Sequence, residues 1–502
     1  MAVILQEKLE QLQREPQMQF LKDLSQQGKV FLVGGAIRDW MLSRETKDFD
    51  FLVTNLKPEQ VDSILQQFGK NKAVESRSFG VFKFQPHGSR ALYDIALPRK
   101  DRWTGLGYKD IAPQFGVPLE EDLSRRDFTM NAMALGLDGK LIDPFSGQRD
   151  LEKKIIRAVG EAKKRFEEDP SRILRGVRFA CELGFEIEEE TFTAMQELGQ
   201  EIIAKTEKGQ SRVSEEIIAY EFLKGFSASP KKMIELLGRA GILSIILPEV
   251  SNLKGITQPE QFHSEGDVLV HTVLALEKLE ELGVLLNQRK VETPVPLDAS
   301  NIHTKLGVLF HDIGKPATFK SAIETGDRIR FTGHDIEGAK MVSRIFKRLK
   351  LAVFPQNHPL HVDEDKLTFL VKHHMICVSG DIDNMRLSTL ERYFFNHDGR
   401  GGGLLALSWA DISATVPKEG QPDFSLFKKL LQKLSQVSET IFNQQKDRAL
   451  PHLLSGQEIM KALNLPASKK IGEIKQELRE LQLEGKIKTK EEALEYLIKK
   501  KK

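Results

Sequence analysis

The 502-residue sequence predicts an α+β chain with a mixed head at its N-terminus and helices through the remainder. Three observations carry that prediction. Residues 30–53, VFLVGGAIRDWMLSRETKDFDFLV, read as strand, glycine turn, helix and strand. Beyond about residue 160 the apolar positions recur at helical spacing and stay there. Between residues 259 and 415, histidines and aspartates gather around one doublet, His311-Asp312. A lone histidine in an apolar helix is ordinarily a packed core residue.

Composition bounds the function. The chain is 40% hydrophobic and 29% charged, with mean hydropathy −0.33, as expected of several globular domains. A net charge of +2 means that a nucleic-acid partner would be held by local basic patches, not by a global field. Two cysteines, Cys181 and Cys377, make neither a disulfide framework nor a zinc motif. The N-terminus carries a brief apolar patch ahead of charged, helix-like sequence, and no apolar run approaches a membrane span. The expectation is a cytoplasmic protein with no membrane partner.

In chain order, residues 7–27 predict a lead-in helix. Residues 30–33 are a short β-branched run, and Gly34-Gly35 lets backbone approach a ligand while the N–H groups of the next helix face an anion. In an extended run over 48–53, the period of two places Asp48 and Asp50 on one face. Adjacent carboxylates repel unless a cation lies between them, so carboxylates beside a phosphate-binding turn suggest divalent metals bridging a triphosphate. Either half alone reads as a glycine turn or a solvated edge; the order of the two carries the chemistry. A helix is expected over 58–68 and strands over 81–84 and 91–97, the second containing Asp94. Residues 99–118 are polar and glycine-rich, a long loop of the kind often tied to function. The adjacent Arg125-Arg126, before Asp127 and near Asn131, supply planar donors suited to phosphate oxygens. Asp169-Pro170 reads as an N-cap followed by proline at the first helical position, with Arg172, Arg175 and Arg178 along one face. Capping boxes are expected at Ser455–Glu458 and Thr489–Glu492, with Ile471, Ile474, Leu478 and Leu481 as a buried stripe between them.

GGAIRD followed by DFD resembles the signature of the polymerase-beta-like nucleotidyltransferases, and the GGxxRD form resembles the bacterial-type (class II) tRNA CCA-adding enzymes and poly(A) polymerases. RRDFTMNA matches that family's second motif, EDPSR its base-recognising ED-x-x-R motif, and SRVSEEI the next, in which Arg212 and Glu216 brace the neck. The resemblance implies a nucleotidyltransferase head over 1–158, a helical neck and body over 159–258, a helical HD domain over 259–415 and a helical tRNA-binding tail over 416–502. It implies attack of a tRNA 3′-hydroxyl on the α-phosphate of CTP or ATP, without a nucleic-acid template. Asp48 and Asp50 would hold Mg²⁺, Asp94 would complete the catalytic carboxylates, and Gly34, Gly35, Arg38, Arg99, Arg125, Arg126, Asp127, Asn131, Asp169, Arg172, Arg175 and Arg178 would bind the nucleotide. The base chemistry is consistent: cytosine and adenine each set an amino donor beside a ring-nitrogen acceptor, matching a carboxylate and a guanidinium, while uracil and guanine reverse that order.

His271, His311-Asp312 and Asp411 resemble the ligand set of the HD phosphohydrolase superfamily, implying a divalent transition metal (Ni²⁺, Mn²⁺ or Co²⁺) and a second, hydrolytic activity; His334 and His374 are additional candidates. Poly(A) addition, CC-only or A-only addition, and a regulatory nucleotidyltransferase acting on a protein remain alternatives at this stage, and oligomeric state is open.

Overall fold

The computed structural model describes residues 2–72, 80–103, 111–206, 209–377, 380–395, 398–442 and 451–501. It divides into two compact units, residues 1–246 and 247–502. The first joins a mixed head to most of the helical stretch expected as the neck.

The head contains strands β1 (Lys29–Val33), β2 (Asp50–Thr54), β3 (Gly69–Asn71), β4 (Val81–Pro86), β5 (Tyr93–Ala96), β6 (Arg99–Trp103), β7 (Ile111–Phe115), β8 (Ala134–Gly136) and β9 (Leu141–Ile142). Seven of them form one sheet in the order β3-β4-β5-β2-β1-β8-β9. β2 and β5 are parallel, and β1 is antiparallel to both β2 and β8. Phe20 covers one face, with ring centroids 6.1 Å from Phe51, 4.9 Å from Phe84 and 6.1 Å from Tyr93.

Three expectations change here. The single lead-in helix is two, Ala2–Arg14 and Phe20–Gln27, because Pro16 cannot donate to a continuing helix. β2 begins at Asp50, so Asp48 lies in the irregular approach to the strand, and period two does not set its direction. The segment expected as a loop, 99–118, contains the hairpin β6–β7, in register from Arg99↔Phe115 to Trp103↔Ile111. The sequence of β6, Arg-Lys-Asp-Arg-Trp, lacks the apolar alternation that marks a strand resting on a core, and Pro113 interrupts β7.

In the neck, the helix Ser171–Leu183 buries Ile173, Leu174, Val177 and Ala180 and packs against the helix Glu215–Ala228. The buried Arg178 and Glu221 join the two helices, Nε donating to Oε2 at 2.5 Å. Arg212 donates to Glu201 and to the carbonyl of Glu167.

The second unit is helical. Helices Val268–Asn287, Ile302–Phe310, His334–Arg348, Glu364–His373 and Arg400–Ala414 enclose the histidine cluster. Gly314 sets their spacing: a Cβ there would lie 2.1 Å from the carbonyl oxygen of His334, so no larger residue allows this approach. Helices Gly456–Leu463, Lys469–Leu483 and Lys490–Lys501 share a core in which Ile471 and Leu478 are buried and Ile474 and Leu481 pack against them. Both expected capping boxes form. Cys181 and Cys377 are buried and form no disulfide with each other. Among the described residues, no helix is long and apolar enough to cross a membrane.

Candidate active sites

A cleft of about 470 Å³ opens in the first unit where β1 ends. Gly34 leaves the strand at φ 77°, a left-handed conformation that suits glycine, and starts the helix Gly35–Met41. A Cβ on Gly34 would sit 3.5 Å from Asp50 Oδ2 and 3.4 Å from Arg126 Nη1, so turn, carboxylate and guanidinium converge at one point. Asp50 is the register partner of Val33 on β1 and of Asp94 on β5. Asp94 is paired with Lys83 Nζ at 2.8 Å. Partial burial, then the charges of Asp94 and Asp48, push the Asp50 carboxyl up to about 6 despite Arg126 and Lys83. Carboxylates on adjacent, paired strands beside a glycine turn are of the chemical type that suits a divalent cation.

Arg125 and Arg126 stand over the same cleft, held from below by Asp122. This buried carboxylate accepts from Arg125 at 2.6 and 2.9 Å and from Arg126 at 3.3 Å. Asp122 also accepts the Arg99 N–H at 3.2 Å, and the Arg99 carbonyl accepts from Arg125 Nε at 3.0 Å. Arg99, expected at the nucleotide, is not among the residues lining the cleft; its backbone positions Arg125 instead.

A further chain of contacts fixes the cleft wall. Arg38 donates to Asn131 Oδ1 at 2.9 Å, Asn131 donates to Asp127 at 3.1 Å, and Asp127 accepts from Arg175 at 2.8 and 2.9 Å. Burial raises the Asp127 pKa, but Arg175, Asn131 and the Phe128 N–H outweigh it and bring it down to about 2. The guanidiniums of Arg38, Arg175 and Arg178 lie 5.1, 5.6 and 4.1 Å from the ring centre of Phe179, which lines the cleft. Arg178 itself departs from expectation. It is buried against Phe179 and paired with Glu221 and Glu182, away from the cleft lining.

Asp169, just before the helix Ser171–Leu183, and Arg172, in its first turn, also line the cleft. Asp169 is extended (φ −144°, ψ 95°), and its Oδ1 accepts the Ser171 N–H at 3.0 Å, so it caps the helix as expected. Its Oδ2 is 3.9 Å from Arg172 Nε. Arg172 is steadied by the Arg125 carbonyl at 2.9 Å and by Glu168 at 3.2 Å.

The second unit holds a cavity of about 610 Å³ with Asp312, His334, His374 and Asp411 in its wall. His271 Nε2 lies 3.0 Å from Asp411 Oδ1, and His311 Nε2 lies 3.2 Å from Asp312 Oδ2. His271, His311 and Asp312 bring their ligand atoms within 4.8 Å of one another, as do Asp312, His334 and His374. Burial opposes protonation of His311, yet Asp312 and Asp411 push its pKa up to about 10, the mark of a site that draws in positive charge. Imidazole and carboxylate donors together suit a divalent transition metal.

Sequence reasoning missed Asp122, Phe179 and Glu221 in the first unit and Glu265 and Lys315 in the second. Glu265 accepts from His271 Nδ1 at 2.8 Å, fixing the ring, and Lys315 pairs with Asp312 at 2.6 Å. Lys315 carried a signal, lying three residues after Asp312; Phe179 lies four after Arg175, on the same helix face.

Residues 30–157 match the Poly A polymerase head domain family, and residues 268–384 the HD domain family. The Multifunctional CCA protein of Neisseria gonorrhoeae is 36% identical over 327 residues, covering 64% of this chain and 70% of that protein. The Multifunctional CCA protein of Actinobacillus pleuropneumoniae is 34% identical over 344 residues, covering 67% and 74%. Among solved structures, the Bacillus stearothermophilus CCA-adding enzyme in complex with CTP aligns with a TM-score of 0.61 at 21% identity, over 97% of this chain and 98% of that one. The Thermotoga maritima CCA-adding enzyme complexed with tRNA aligns with a TM-score of 0.57 at 20% identity, over 99% and 98%. At those identities the structures speak for the shared fold, and the sequence relatives for the lineage. With a glycine turn set against strand carboxylates in one unit and an HD cluster in the other, this chain belongs to the multifunctional CCA protein family.

Proposed function

We propose that the cleft of the first unit adds C, C and A to the tRNA 3′ end from CTP and ATP, without a nucleic-acid template. The observation that carries this reading is the placement of Asp169 and Arg172, an acceptor beside a donor, across the cleft from Asp50 and Gly34. Gly34 and Gly35 admit the triphosphate to the backbone, while Arg38, Arg125, Arg126 and Arg175 face its oxygens. Arg126 Nε is buried without a hydrogen-bond partner, as suits a guanidinium that turns its outer edge to an anion. Asp169 accepts from the amino group of cytosine or adenine and Arg172 donates to the ring nitrogen.

Asp48 and Asp50, with Asp94 alongside, are the residues that would hold Mg²⁺, and the ion supplies charge neutralisation of the triphosphate and activation of the attacking hydroxyl. The hydroxyl would give up its proton to a carboxylate of the site as its oxygen bonds to the α-phosphorus, and the α–β phosphoanhydride bond would break to release pyrophosphate. The HD site is the candidate for hydrolysis of phosphomonoesters or 2′,3′-cyclic phosphates with Ni²⁺, Mn²⁺ or Co²⁺, its ligands being His271, His311, Asp312 and Asp411. We divide the chain into head, neck, HD domain and tail at the boundaries given above, and place it in the cytoplasm, where the Cys181 and Cys377 thiols, which form no disulfide, stay reduced.

Incubating the protein with tRNAs ending before C74, C75 and A76, each with one nucleotide at a time, tests the reading at nucleotide resolution. Addition of C, C and then A, followed by arrest, is expected. Runs of A mean a poly(A) polymerase, and labelling of a protein in place of tRNA overturns the assignment.

A further inference from the structure

We propose that a second pocket of the first unit, beside Asp48, receives the unpaired terminal base of the acceptor RNA, and that the N-terminal helix builds one of its walls. This rests on the reading of the neighbouring cleft as a nucleotidyltransferase site and adds a place for the strand being extended.

The chemistry asks for such a place. In-line displacement sets the attacking and leaving oxygens on opposite sides of the α-phosphorus, so the acceptor cannot share the path of the triphosphate. Asp50 lines the nucleotide cleft. The residues on either side of Asp48 line a different pocket, of about 180 Å³: Thr46 and Lys47 before it and Phe49 after it. Thr46 Oγ1 accepts the Asp48 N–H at 3.3 Å, so the loop that walls the pocket also holds the backbone of that carboxylate. The acceptor then reaches the carboxylates by way of Asp48, and the triphosphate by way of Asp50.

The other wall comes from the helix Ala2–Arg14. Leu5, Leu9 and Leu12 recur on one face and are 3, 0 and 2% exposed, which seats the helix on the head. Gln13 Nε2 fixes it further, donating to the Leu137 carbonyl at 3.0 Å. Lys8 and Gln11 of this helix, and Glu15 just beyond its end, line the pocket. The matched head region starts at residue 30, so this wall lies outside it.

The lining suits a base and its phosphate. Trp40 and Phe49 have ring centroids 5.8 Å apart with their planes tilted by 56°. Trp40 is buried and Phe49 half-buried, and together they give the pocket an apolar corner. Any base can stack on such rings, which suits a terminus whose identity changes with each addition. The volume has room for one base without a pairing partner, and so selects a single strand. Lys8 and Lys47 are exposed, and among the described residues neither pairs with a carboxylate, leaving both for the phosphate behind the terminal nucleotide. Of the two acids in the lining, Glu15 accepts from Gln17 at 2.6 Å, and Glu45 offers an acceptor to a ribose hydroxyl or a base amino group.

The full-length protein with a tRNA ending at C75, ATP and Mg²⁺ tests this. Lys8→Ala with Lys47→Ala should raise KM for the tRNA about tenfold, with KM for ATP and the melting temperature unchanged. A hairpin carrying only the acceptor stem should show the same rise, because the pocket meets the terminus alone. A tRNA with 4-thiouridine in place of its terminal cytidine should crosslink under near-ultraviolet light to peptides from residues 2–15 or 40–49. An unmoved KM for tRNA, or a crosslink that maps elsewhere, overturns the pocket and leaves the transferase standing. A rise with tRNA but not with the hairpin puts the lysines against the tRNA body and overturns it as well, as does an equal rise in KM for ATP. No addition to tRNA by the wild type overturns both readings.

Discussion

Asp50 and Asp94 are register partners on the parallel strands β2 and β5, and Lys83 makes an ion pair with Asp94. Burial first, and then the charge of Asp94, push the Asp50 carboxyl up to about 6. Asp50→Asn should keep the fold and lose nucleotide addition on the order of a thousandfold or more, since a metal ligand contributes several kcal/mol to charge stabilisation. Near-normal incorporation by the purified variant sinks the metal assignment.

The same carboxyl gives a pH signature in chelator. Its folded pKa, about 6, lies above the ordinary 3.8, so the folded state keeps the proton while the unfolded state loses it. Stability therefore falls as pH rises from about 4 to 6 and stays lower above that. Asp50→Asn should raise the melting temperature in EDTA at pH 7.5 and leave it unchanged at pH 3.5. A wild type as stable as the variant at pH 7.5 is the contrary result.

Arg175 neutralises the buried Asp127. Arg175→Ala should destabilise the first unit by about 3–5 kcal/mol through the stranded carboxylate, with Asp127→Asn in the same chain recovering much of the loss. In the wild type the Asp127 pKa is about 2, below 3.8, so its contribution is complete above pH 4 and is lost as pH falls towards 2. Urea midpoints at pH 7 and pH 2.5 measure both effects.

Asp169 caps a helix and is proposed to read the base, and one variant separates the two roles. Asp169→Ala should cost about 1 kcal/mol as a lost cap. If Oδ2 also reads the base, UTP or GTP should gain about tenfold to a hundredfold against CTP and ATP. Arg172→Ala should relax selectivity in the same way. Lower stability with rejection of UTP intact in both variants leaves the cap as the whole of their role.

His311→Ala with Asp312→Ala should abolish hydrolysis of 2′,3′-cyclic phosphates and spare nucleotide addition. An absence of hydrolysis by the wild type across Mg²⁺, Mn²⁺, Ni²⁺ and Co²⁺ would mean that the cluster is structural.

Both candidate sites were legible in the sequence wherever neighbouring residues carry them. The Gly34-Gly35 turn, the Arg125-Arg126 pair, the Asp169 cap and the His311-Asp312 doublet need only local backbone geometry, which their own residues set. What tertiary structure decided depends on residues brought together across long stretches of chain. His271 and Asp411 meet from 140 positions apart through helix packing. Strand register put Asp94 beside Asp50, and no periodicity within one strand specifies its neighbour. Arg172, Arg175 and Arg178 recur at one spacing, yet Arg178 turns to Glu221 because the partner helix buries it there, and an unpaired charge is too costly to bury. Asp122 was illegible for the same reason: it looks like one more acid in a charged helix turn until burial makes it the anchor of Arg125 and Arg126. A sequence records which groups a chain carries, but burial and register assign the partners, because both are set by contacts distant along the chain.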